Sequence, residues 1–238
     1  MGLRAGLAVI SARPGDVASI TFSRALRSDV SSAARASRVA PSLLHEASDA
    51  ELSKLADSDH HEGLVVVSAR PRRWSTPNEI ADRLVARGGA AIALDRVRNP
   101  YNVGAILRTA AFFGIDAAIL GAIAPHPALA PLAVRVAEGG CEHLMLARTT
   151  DLADSISRLK SRGVRVVGAA GEARSSVFDE AFARPCVVVV GNEREGLHPR
   201  VRAQCDALIS IRGSGAVESL NVSAAAAVLI AAIAKRAS

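Results

Sequence analysis

Three polar stretches of the chain gather the side chains best suited to chemistry: Asp95 to Asn102, Gly191 to Gly196 and Arg212 to Asn221. Each follows a run of aliphatic residues, and in open α/β sheets ligands bind in the loops beyond the carboxyl ends of strands. Asn102 opens a helical pattern and is expected as its N-cap, with its side-chain oxygen meeting free backbone N–H groups. Arg108 lies farther along the same pattern, and Glu193 is a carboxylate in a glycine-bounded loop. Ser219 and Asn221 stand two apart, and both can donate or accept hydrogen bonds. Asn221 can equally cap the pattern that begins at Val222.

Common nucleotide loops do not account for these residues. Gly191 and Gly196 have the spacing that opens a P-loop, but Leu197 and His198 stand where lysine and a hydroxyl residue must hold phosphate and magnesium. Gly213-Ser-Gly215 begins like a dinucleotide fingerprint, yet Glu218 occupies the third glycine position and blocks close helix approach. Cys141, Cys186 and Cys205 are odd in number, lie far apart and show no C-x-x-C spacing. Neither a disulfide framework nor a zinc site is expected from them. His60-His61 has no further ligand group near it at a known spacing, so no metal is expected.

The elements that must position these loops are legible in the aliphatic pattern. The 238 residues are 50% apolar but only 3% aromatic, which calls for a core of Ala, Val, Leu and Ile. Such runs suit buried parallel strands. Strands are expected at Ala90–Asp95, Ala117–Leu120, Leu144–Ala147, Val164–Gly168, Cys186–Val190 and Leu208–Ile211. Helical patterns fall at Gly104–Phe113, Pro127–Glu138, Asp151–Ser161 and Val222–Lys235. This alternation predicts an α/β domain with a mostly parallel sheet and helices on both faces. A Pro- and Arg-rich segment followed by a short polar helix pattern divides the chain into residues 1–70, a linker at 71–88 and residues 89–238. The first piece reads as a smaller α/β domain with strands near Leu7–Ile10, Ser19–Phe22 and Leu64–Val67. The net charge of +6 favours polyanionic partners. Arg4, Arg13, Arg24, Arg27, Arg35 and Arg38 give the first piece a basic flank. The apolar run Ala224–Ala234 is too short for a membrane span, and no signal-peptide pattern opens the chain. A cytoplasmic protein is expected.

Taken in order, the three loops resemble the signature motifs of the SpoU/TrmH family of RNA 2′-O-ribose methyltransferases. The first is Asn99-Pro-Tyr-Asn-Val-Gly-Ala-Ile-Leu-Arg-Thr-Ala110, with Phe113-Gly114 beyond it. The second is Val190-Gly-Asn-Glu-Arg-Glu-Gly-Leu197, and the third is Ile209-Ser-Ile211 with Gly215-Ala-Val-Glu-Ser-Leu-Asn-Val-Ser223. Ala137-Glu-Gly-Gly-Cys-Glu-His143 is similar to the family's segment between the first two motifs. More weakly, residues 1–70 resemble the L30e-like substrate-binding domain of many members, with His61-Glu-Gly-Leu-Val65 near its close.

The resemblance implies an α/β domain with a deep trefoil knot, a homodimer packed across that knot, and S-adenosyl-L-methionine as cofactor. It implies that Asn102, Arg108, Glu193, Ser219 and Asn221 form the catalytic set, with Glu193 pairing with Asn102 and Arg108. Gly191, Ile211 and Leu220 would hold the cofactor, the glycine by allowing close backbone approach. Arg108 would anchor a substrate phosphate and the attacking hydroxyl; because arginine stays protonated, this implies positioning and not general-base catalysis. The implied substrate is RNA, with ribosomal RNA favoured over transfer RNA by the L30e-like domain. A knotted RNA-binding protein without catalysis, and a base methyltransferase of a related knotted family, are the alternatives.

Overall fold

The computed structural model describes residues 1–122, 129–179 and 182–234. The first piece of the chain runs α1 (Leu3–Ala12), β1 (Val17–Phe22), α2 (Arg27–Ala36), β2 (Leu44–Glu46), α3 (Asp49–Ala56) and β3 (Leu64–Ser68). Its sheet has the order β2-β1-β3, with β2 parallel and β3 antiparallel to β1. Ile10, Ile20, Phe22, Val30 and Leu64 form its core. The strand expected at Leu7–Ile10 is the second half of helix α1. A four-residue apolar run fits either element, and Leu3, Leu7 and Ile10 recur at the i, i+4, i+7 spacing that sets one helical face.

The larger piece continues α4 (Pro77–Arg87), β4 (Ala90–Asp95), α5 (Pro100–Phe112), β5 (Ala117–Gly121), α6 (Pro131–Val136) and β6 (Met145–Thr149). It then runs α7 (Leu152–Lys160), β7 (Arg165–Ala169), β8 (Ser175–Ser176), β9 (Cys186–Val190), α8 (Pro199–Arg202), β10 (Ala207–Ser210) and α9 (Val222–Ala234). Residues 127 and 128 of the helix expected at Pro127–Glu138, and Lys235 of the closing helix, lie outside the described residues. The sheet order is β6-β5-β4-β9-β7-β10-β8, and every pairing is parallel.

Strands β4, β5 and β9 are buried at every position, because both faces are covered. Ile92 and Leu94 face one core layer with Ile106 and Leu107 of α5 and Leu229 and Ile230 of α9. Ala91 and Ala93 face the other, with Ile80 and Leu84 of α4 and Ile156 and Leu159 of α7. The segment read as a linker, 71–88, therefore includes a helix that belongs to this core. Thr76 caps α4 in a reciprocal box with Glu79, so the polar residues that suggested a connection are the helix's N-terminal signal.

Strand β10 lies toward one edge of the sheet, yet α9, which follows it, packs on α5 near the middle. The chain between them, 211–221, must therefore cross back toward α5. That crossing brings the third polar loop to the first.

Candidate active site

Helix α5 starts one turn earlier than the apolar pattern suggests. Asn99, not Asn102, is its N-cap: the Asn99 side-chain oxygen accepts the Tyr101 N–H at 2.9 Å, and Pro100 fills the first helical position. Asn102 sits inside the first turn with its side chain directed at the other two loops. Its Nδ2 donates to Glu193 Oε1 at 2.6 Å, and its Oδ1 accepts from Asn221 Nδ2 at 3.3 Å. Asn221 also caps α9, its Oδ1 accepting the Ser223 N–H at 2.8 Å. The Asn221 side chain caps α9 and also reaches Asn102. One buried amide thus ties three chain segments separated by about ninety and thirty residues.

The loop after β9 is held by partners that the sequence reading missed. Asn192 and Gly196 exchange backbone hydrogen bonds at 3.1 and 2.9 Å, closing the loop on itself. The Asn192 side-chain oxygen accepts the Arg194 N–H at 2.9 Å, and its Nδ2 donates to the Arg96 carbonyl at 3.2 Å. Arg96 pairs with Glu195 and donates to the Gly196 carbonyl at 3.0 Å. Buried Asp95 accepts the His198 N–H at 2.6 Å, fixing where the loop ends. The available signal was positional: a carboxylate ending a fully buried strand must find a donor.

Gly191 is required by the closure of its own loop. A Cβ there would lie 2.3 Å from the carbonyl carbon of Gly196, so the glycine admits the returning limb of its own loop. Ile211 is half-buried against the α5–α9 layer. Ser219 and Leu220 lie on the exposed loop, where Leu220 is 49% and Val217 74% accessible.

Arg108 does not join the cluster within the chain. It lies six residues past Asn102, which on an α-helix is about 9 Å along the axis and about 240° around it. Its guanidinium, half-exposed, pairs with Glu138 at 2.9 Å, so the expected Glu193–Arg108 pairing is replaced by Glu193–Asn102 alone.

A profile of the SpoU rRNA Methylase family matches residues 89–231, the segment that holds all three loops. The chain belongs to this family. It is 35% identical over 191 residues to the 23S rRNA (guanosine-2′-O-)-methyltransferase RlmB of Vibrio cholerae serotype O1, covering 79% of this chain and 75% of that protein. The AdoMet-bound rRNA methyltransferase from Sinorhizobium meliloti has a similar fold, with TM-score 0.76 at 24% identity over 98% of this chain and 84% of that one. The AdoMet complex of the SpoU methyltransferase AviRb from Streptomyces viridochromogenes also superposes, with TM-score 0.76 at 24% identity over 99% and 88% of the two chains.

Other candidate groups of this SpoU family chain are structural. His61 is buried, its Nε2 lies 3.2 Å from Ser53 Oγ, and its Nδ1 accepts the Gly63 N–H at 3.0 Å. The next residue, Glu62, accepts the Leu3 N–H at 2.9 Å and so anchors the start of α1. Burial pushes the thiols of Cys141, Cys186 and Cys205 up to about 11. Among the described residues no helix is long and apolar enough to cross a membrane, and no group of His, Cys, Asp and Glu gathers to hold a metal.

Proposed function

We propose that this chain is an S-adenosyl-L-methionine-dependent RNA 2′-O-ribose methyltransferase of the cytoplasm that acts on ribosomal RNA. The observation that carries the reading is the lacing of all three family loops through Asn102, Glu193 and Asn221. Those bonds stand on the part of the chain that matches the family.

The residues present fit the cofactor. Leu220 and Val217 expose apolar surface on the loop 212–221, beside half-buried Ile211, and an adenine ring would cover such surface. Carbonyl and N–H groups of loops 191–196 and 211–221 would hold the remaining polar edges. When bound, the cofactor supplies an electrophilic methyl group on a sulfonium, already a good leaving group. The chain's part is then chiefly to position the reactants. Asn102 and Glu193 fix the second loop against α5, and Asn221 fixes the third. Ser219, exposed on the same loop, would hydrogen-bond the substrate. Arg108 anchors a phosphate of the substrate and stabilises the oxygen of the ribose as its proton passes to solvent water; the guanidinium stays charged and does not accept that proton.

Residues 1–70 act as an L30e-like RNA-binding domain, and the two halves of the active site meet in a homodimer packed across the trefoil knot. The separation of Arg108 from the Asn102 cluster supports that reading, because a second protomer can bring its own Arg108 to these loops. Calorimetry with S-adenosyl-L-methionine should show one site per subunit, and light scattering should report a dimer at micromolar concentration. A folded dimer that binds no cofactor would contradict the enzyme reading, and a stable monomer would contradict the shared site.

A further inference from the structure

Glu138 stands between two arginines from different parts of the chain. Its Oε1 pairs with Arg108 at 2.9 Å and its Oε2 with Arg4 of α1 at 3.5 Å. The backbone there is unusual. Glu138 has φ 44°, a left-handed conformation that a side chain of this type seldom adopts, and Gly139 follows at φ 87°. The turn is wedged between two helices. A Cβ on Gly139 would lie 2.6 Å from Ala8 Cβ of α1, and one on Gly140 would lie 3.0 Å from Arg108 Cα. The strained turn therefore sets the spacing of α1 and α5 and delivers one carboxylate to both guanidiniums.

Exposed ion pairs of this kind stabilise a fold little, so stability does not account for the convergence of two guanidiniums on Glu138. Two guanidiniums converging on one anion at the surface are, in contrast, a geometry that accepts a phosphate as readily as a carboxylate. We propose that Arg4 and Arg108 form a two-arginine clamp for a single backbone phosphodiester of the RNA, with Glu138 as the resident anion that the phosphate displaces. The inference deepens the methyltransferase reading and rests on it for the identity of the polyanion. It adds Arg4 to the substrate site and makes Glu138 a residue that opposes RNA binding. Without RNA, Glu138 holds the two like charges together and offsets one of them.

The test is equilibrium binding of the full-length protein to an unmodified 23S rRNA transcript over a salt series, with Glu138→Gln, Arg4→Ala and the double variant. Glutamine keeps the side-chain volume and removes the competing charge. Glu138→Gln should tighten RNA binding by roughly three- to ten-fold and steepen the salt dependence by about one phosphate contact. Arg4→Ala should weaken binding and flatten the slope by a similar step. In the double variant the gain from glutamine should shrink, because the two act on one site. Cofactor affinity should not change in any of the three. Unchanged or weaker RNA binding by Glu138→Gln, or strict additivity with Arg4→Ala, would overturn the clamp. Should glutamine at 138 fail to fold, an Arg4→Ala variant with wild-type affinity and slope overturns it alone. Methyl transfer measured in parallel separates the two levels. A chain that methylates RNA but shows none of these binding changes loses only the clamp, whereas one that transfers no methyl loses the reading beneath it.

Discussion

Asn102 spends both ends of its amide on holding loops together, one on Glu193 and one on Asn221. Alanine at this position would remove both bonds, and because Glu193 and Asn221 are exposed and take up water instead, the cost is about 0.5–1.5 kcal/mol for each bond. The expected outcome for Asn102→Ala is a lower thermal midpoint and weakened cofactor binding, read by calorimetry on the same sample. Arg108 should behave oppositely. Lysine keeps the charge but loses the planar fork that can hold a phosphate and a hydroxyl at once. Arg108→Lys should lower kcat by roughly 10²-fold, as misplacement of a positioning group does. Its cofactor affinity should stay near wild type, which places the defect in the transition state. Near-normal turnover would reduce Arg108 to a simple charge, and lost cofactor binding would make it structural. Asn102, Glu193 and Asn221 were legible as chemistry-bearing residues because they stand in loops beyond aliphatic strands. The Glu193–Asn102 pairing was implied by the family resemblance, but the Asn102–Asn221 bond was not, since no spacing in the sequence says which loop returns to which.

At the scale of elements, the buried strands were the plainest part of the sequence. Cys186–Val190 is aliphatic throughout because neighbours cover both of its faces, and nothing else in the chain competes with that reading. Helix α1 was harder, since its apolar run Leu7–Ile10 is as long as a strand and only Leu3 reveals the helical period. Helix α4 was legible as a short polar helix pattern, but its capping residues and prolines made it look like part of a connection until Ile80 and Leu84 are found in the core. Gly191 shows the same limit, because the sequence reveals the need for a glycine but not which backbone approaches it. Gly191→Ala would set a Cβ against backbone and cannot be relieved by a side-chain shift. The expected result is a folded protein, by circular dichroism, whose loop 191–196 no longer closes and whose cofactor affinity is lost.

Across the whole molecule, one buried carboxylate joins the two pieces of the chain. Glu142, with 2% of its side chain accessible, accepts Arg13 Nε from the loop after α1 at 2.9 Å and also pairs with Arg72. Removing one partner of a buried ion pair costs about 3–5 kcal/mol; here the arginines reach solvent, so the low end applies. Glu142→Ala should lower the stability measured by urea unfolding by about 3 kcal/mol and make the 69–76 connection more susceptible to protease. The thiols give a second global test. With all three raised to about 11, chiefly by burial, each is almost wholly protonated at pH 8. Iodoacetamide at that pH should label the native protein slowly and the urea-unfolded protein at three sites. Rapid labelling of the native state would show that the cores are open.

Methyl transfer to a ribose by these laced loops can be read from the product itself. The purified protein is incubated with methyl-labelled S-adenosyl-L-methionine and unmodified 23S rRNA, and the product is mapped by alkaline hydrolysis. A 2′-O-methyl group protects the adjacent phosphodiester, because the 2′ oxygen can no longer attack it. Label should be retained in an alkali-resistant dinucleotide at a defined position, and should accumulate roughly 10²-fold more slowly with Arg108→Lys at the same protein concentration. Label recovered on a base within an alkali-cleavable nucleotide, or no transfer by a dimer that binds both RNA and cofactor, would contradict it.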